Sequence, residues 1–96
     1  MRLDQRIRDE IREAARRFFG ADVYLFGSRA DDTRHGGDID LYIESALSPE
    51  EAVRARLSML AYLYRHIGER RIDLVLNTGR SDAPIFLVAK REGLKL

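Results

Sequence analysis

Apolar residues at the start of the chain recur at Leu3, Ile7, Ile11, Ala14 and Phe18. Steps of four and three residues put them on one stripe of a helix, and Gly20 is a natural stop, so the spacing predicts a helix from Leu3 to Phe19. Val23 to Phe26 is a short, wholly apolar run that ends in Gly27-Ser28. It reads as a buried strand entering a tight turn. Arg29 to Gly37 is polar, closes on Gly36-Gly37 and reads as a loop. From Asp38 to Glu44 the pattern alternates. Ile39, Leu41 and Ile43 take one side, and Asp38, Asp40, Tyr42 and Glu44 the other, as on a half-buried strand.

Ser48-Pro49-Glu50-Glu51 has the form of a helix start, with a capping serine, a proline in the first turn and a glutamate three residues on. The helix that follows carries Val53, Leu57, Leu60, Tyr64 and Ile67 as its apolar stripe and ends at Gly68. Arg71 to Leu76 alternates again, Ile72, Leu74 and Leu76 against Asp73 and Val75. After a turn at Asn77-Thr78-Gly79, a last helix is predicted from Asp82 to Glu92, closed by Gly93. The order is α-β-β-α-β-α. It implies an α+β fold with a small three- to four-stranded mixed sheet and helices packed on one face. No repeat or linker interrupts it, so residues 1–96 are expected to form one domain.

Composition narrows the chemistry. With 96 residues there is room for one core and little for a second lobe. The formal charge of +1 gives no global argument for nucleic-acid or membrane binding. There are no cysteines, which excludes disulfides and thiolate metal sites, and two separated histidines do not make a zinc site alone. The charged, amphipathic start does not resemble a signal peptide, and no run approaches membrane-spanning length, so a cytoplasmic location is expected.

The remaining signal lies in carboxylates and one turn. Asp38 and Asp40, two apart on a strand, project from the same face roughly 7 Å apart. Ionised aspartates that close repel each other, and a divalent cation resolves the conflict. Ligands that are all oxygen favour Mg²⁺ or Mn²⁺. Asp73 sits on the polar side of the next strand. If that strand lies beside the first, three carboxylates converge, enough for a two-metal site. A lone D-x-D strand is more often a capped turn and a solvated face, but that reading must also account for Asp73 and for the Gly-Ser turn. Gly27 after a buried strand lets backbone N–H groups approach an anion, and Ser28 adds a hydroxyl donor. Arg29 could equally face phosphate or solvent. The turn is neither a Walker loop nor a dinucleotide fingerprint. Arg34 and His35 read as a solvated loop, Arg54, Arg56 and Arg65 as a solvated helix face, and His66 as a partner of the helix dipole. Tyr62 and Tyr64 read as core or interface residues.

Gly27-Ser28, nine residues, then Asp38-Ile39-Asp40-Leu41, with Val23–Phe26 before and Arg71-Ile72-Asp73-Leu74-Val75 after, resembles the minimal nucleotidyltransferases of the DNA polymerase β-like superfamily. The likeness spans nearly the whole chain, including its C-terminal helix. A spacing of nine, where ten is frequent, is the one departure. The resemblance implies that Asp38, Asp40 and Asp73 hold two Mg²⁺ or Mn²⁺ ions, with Asp73 also orienting or deprotonating the attacking hydroxyl. Gly27, Ser28 and Arg29 would bind the phosphates of ATP or another NTP. It further implies transfer of a nucleoside monophosphate, AMP above all, to a hydroxyl with release of pyrophosphate. The implied partner is a small all-helical protein of the HEPN or substrate-binding-subunit type, in a hetero-oligomer, or else the chain forms a homodimer. In HEPN/MNT toxin–antitoxin pairs the enzyme adenylylates a tyrosine of the toxin. The competing expectation is a non-catalytic antitoxin that acts by contact. A nucleotide-sugar glycosyltransferase built on D-x-D is well behind, because such domains are much longer.

Overall fold

The computed structural model describes residues 5–26, 39–68, 71–77 and 93–96. In chain order the elements are α1 (Gln5–Phe19), β1 (Val23–Phe26), β2 (Ile39–Glu44), α2 (Pro49–Ile67), β3 (Ile72–Asn77) and β4 (Leu94–Lys95). The expected helix at 82–92 lies outside the described residues, as does Leu3.

The helix ends follow from local chemistry. Gly20 terminates α1 at φ +62, a left-handed conformation that costs a glycine little, and its N–H donates to the Arg16 carbonyl at 3.0 Å. At the start of α2 the Ser48 hydroxyl accepts from the Glu51 N–H (3.2 Å) while the Glu51 carboxylate accepts from the Ser48 N–H (3.1 Å). This is the reciprocal capping box that the sequence announces. The bonds to Ser48, backbone first, hold the Glu51 carboxyl below its ordinary value. At the other end of α2, His66 Nδ1 lies 2.7 Å from the Tyr62 carbonyl, and Arg6 donates to the His66 carbonyl at 2.9 Å. The His66 carbonyl, one of the last four that lack a helical partner, thereby gains a cationic one.

The sheet has the order β3-β2-β1-β4. β1 runs antiparallel to both β2 and β4, and β2 runs parallel to β3, so the sheet is mixed. Parallel pairing of β2 with β3 requires a crossover, and α2 supplies it. The inward faces of Val23 and Leu25, of Ile39, Leu41 and Ile43, and of Leu74 meet Ile7, Ile11 and Phe19 of α1 and Met59, Leu63 and Ile67 of α2 in one apolar cluster. Both helices thus cover one face, as expected. Arg56 ties α2 to β3 through a 2.6 Å bond to the Leu74 carbonyl.

One expectation about these elements needs correction. The stripe of α2 that enters the core is Ala52, Ala55, Met59, Tyr62, Leu63 and Ile67. Of the predicted stripe only Ile67 belongs to it; Val53, Leu57 and Tyr64 are 58%, 64% and 53% exposed. α2 carries two apolar stripes, and the one with alanines allows closer approach to its neighbours. Tyr62 in particular is held in place. Its ring meets Phe18 edge-on at 5.8 Å and stacks on His66 at 3.9 Å, and its hydroxyl donates to Glu10 at 2.9 Å. Burial, and then the bond to Glu10, push the phenol above its ordinary 10.0.

At the C-terminus a strand occurs that periodicity does not reveal, the fourth of a sheet expected to have three to four. Leu25 pairs with Leu94 and Tyr24 with Lys95, while the Leu96 N–H donates to the Val23 carbonyl at 2.9 Å. Two residues are too few to show alternation. An ion pair of 3.2 Å between Lys95 and Asp22 sits at the same edge.

Candidate active site

The face of the sheet turned away from the helices carries the alternate residues of each strand. On β2 these are Asp40, Tyr42 and Glu44; on β3 they are Asp73, Val75 and Asn77. Register brings them into rows. Asp40 is the direct partner of Asp73, Tyr42 of Val75, and Glu44 of Asn77. Partners on neighbouring strands point to the same face, with backbones roughly 4.8 Å apart. Two aspartates far apart in sequence therefore stand side by side at the end of the sheet where β2 and β3 begin. Asp40 is half-buried and Asp73 is exposed.

β1 ends at this same place. Phe26, its last residue, is the register partner of Asp40, and Gly27-Ser28 follows in sequence. Gly27, Ser28, Arg29 and Asp38 all lie outside the described residues, as do Arg34 and His35. Of the six predicted site residues, Asp40 and Asp73 are thus the two whose geometry is defined, and they are brought together.

In-register carboxylates repel each other, and like charges directly opposite in a sheet destabilise it. A hard divalent cation between them would turn that repulsion into ligation, and the oxygen donors suit Mg²⁺ or Mn²⁺. Among the described residues no group of three metal-type ligands forms. Asp38, which the sequence puts next to Ile39, lies outside the described residues.

Behind the aspartates the face closes. Tyr42 was expected on a polar, half-exposed row, yet it is fully buried. Its hydroxyl donates to Glu44 at 3.1 Å and accepts from Asn77 Nδ2 at 3.2 Å, and its ring lies 6.1 Å from that of Tyr24. The bond between Tyr42 and Asn77 crosses from β2 to β3, locking the register that aligns Asp40 with Asp73. The sequence pattern places Tyr42 on the polar side of its strand and Asn77 in a turn. The available signal was that both continue the polar alternation of their strands. Elsewhere, a shallow depression lined by Arg16, Gly20, Ala21 and Asp22 sits at the opposite end of β1 and contains none of these groups.

Among the described residues, no helix is long and apolar enough to cross a membrane. A family model described as "Nucleotidyltransferase domain" matches residues 6–91 of the chain. No curated protein matches it at a significant level.

Proposed function

Since the chain belongs to the nucleotidyltransferase domain family, of the polymerase β-like superfamily, we propose that its α+β sheet carries a metal-dependent transfer of a nucleoside monophosphate, AMP from ATP, to a hydroxyl acceptor. Nucleotidyl transfer is the activity that the family implies. The observation that supports it best is the direct pairing of Asp40 with Asp73 at the sheet end where β1 stops before Gly27-Ser28.

In this reading the acceptor oxygen attacks the α-phosphorus of ATP. An O–P bond to the acceptor forms, the bond to the β-phosphate bridging oxygen breaks, and pyrophosphate leaves with that electron pair. Asp73, the exposed member of the pair, orients the acceptor hydroxyl and takes its proton. Asp38 and Asp40 would hold metal, and Gly27, Ser28 and Arg29 would hold the phosphates. Two Mg²⁺ or Mn²⁺ ions on Asp38, Asp40 and Asp73 would neutralise the charge of the triphosphate. For phosphoryl-type chemistry, positioning and neutralisation are the main demands.

For the acceptor we propose a tyrosine of a small helical partner of the HEPN type, which would make this chain an antitoxin. This part rests on the resemblance to minimal nucleotidyltransferases. The test is incubation with labelled ATP, Mg²⁺ and the product of the adjacent gene. Label is expected on that protein, and none with Asp40→Asn or Asp73→Asn. Failure to transfer from any NTP to any acceptor, with full neutralisation retained by Asp40→Asn, would instead favour an antitoxin that acts by contact.

A further inference from the structure

The stripe of α2 that does not enter the core is the most apolar surface among the described residues. Val53, Leu57 and Tyr64 are 58%, 64% and 53% exposed, and Leu60 between them is half-buried. The spacing of four, three and four residues sets all four side chains on one line along the helix. An apolar line of this length on a 19-residue helix, about 28 Å long, marks an interaction surface.

We propose that this stripe packs against the same stripe of a second copy of the chain, with the two α2 helices antiparallel. The argument is self-complementarity. The four residues are symmetric about a point between Ser58 and Met59, so an antiparallel two-fold partner sets Val53 against Tyr64 and Leu57 against Leu60. Each small or medium side chain then faces a larger or equal one. The charges follow the same symmetry. The first turn of α2 is acidic, with Glu50 and Glu51, and its last turn is basic, with Arg65 and His66. Glu51 is engaged by Ser48 in its own chain. Glu50 is exposed, and in the antiparallel arrangement its end of the helix meets the end of the other copy that carries Arg65. A parallel arrangement would set Glu50 against Glu50 and Arg65 against Arg65, which disfavours it. The helix dipoles also oppose when antiparallel. The stripe belongs to the helical layer, across the sheet from Asp40 and Asp73, so both copies keep that face outward. The inference is independent of the proposed transfer reaction.

Sedimentation or light scattering over a concentration series reads the association directly. The mass is expected to rise from that of one chain, 11.1 kDa, to twice that value. Leu57→Glu should weaken association by at least about tenfold while leaving the helical circular dichroism intact, because the side chain is exposed. Register is read by cross-linking, since the chain has no cysteine to interfere. A mixture of V53C and Y64C chains should form a disulfide-linked heterodimer under mild oxidation, whereas neither variant alone should cross-link efficiently. A mass that stays at one chain at all concentrations overturns the proposal. So does a dimer that survives Leu57→Glu undiminished, or equal cross-linking of V53C with itself.

Discussion

Replacing Asp73 with Asn tests the reading of the carboxylate pair through two effects of opposite sign. The substitution keeps the shape of an exposed side chain and removes one of two charges in register across β2 and β3. Without metal, like charges directly opposite in a sheet destabilise it, and solvent screening of the exposed Asp73 keeps the relief to about 0.3 kcal/mol. For a domain of this size that corresponds to a rise of roughly 1–2 °C in midpoint. With metal the sign reverses. A cation present at a hundred times its dissociation constant stabilises the native protein by about 2.7 kcal/mol, and the variant, lacking a ligand, should lose most of that. The assay is thermal unfolding of both proteins in EDTA and across a Mg²⁺ series. Asp73→Asn should melt above the wild type in EDTA and below it at saturating Mg²⁺. A variant that melts lower in EDTA, or that gains as much from Mg²⁺ as the wild type, would refute the idea that Asp40 and Asp73 form a shared cation site.

Two further predictions test the scaffold. Leu63 is fully buried while Leu57 is mostly exposed, so Leu63→Ala should cost about 2–5 kcal/mol and Leu57→Ala, in dilute solution, less than about 0.5 kcal/mol; chemical denaturation of both variants measures the contrast, and equal losses would contradict the assignment of the stripes. Ser48→Ala should cost about 1 kcal/mol by opening the capping box. Because folding lowers the Glu51 pKa, that glutamate's contribution is fully present above its ordinary 4.5 and is lost as pH falls through the lowered value, so stability should fall across that acid range in the wild type but not in Glu51→Gln.

Much of this architecture was legible in the sequence because it is written in local chemistry. The capping box of α2 needs only Ser48 and Glu51, and the stop of α1 needs only Gly20. Alternation along β2 and β3 separated Ile39, Leu41, Ile43 and Leu74 from Asp40 and Asp73, and the core contains the first group. Motif order alone was enough to suggest the family, because a turn and three aspartates recur in sequence. What only the tertiary structure decided is which surfaces meet. Two apolar stripes on α2 have the same period, and contact with α1 and the sheet selected the one bearing Ala52, Ala55, Met59 and Leu63. The two residues of β4 acquire their conformation by pairing with β1, not from any pattern of their own. Tyr42 looks like a solvent-facing residue by alternation, yet it is buried and bonded across to Asn77 on β3. The alignment of Asp40 with Asp73 likewise depends on strand register, a relation between segments 33 residues apart that periodicity within either one does not contain.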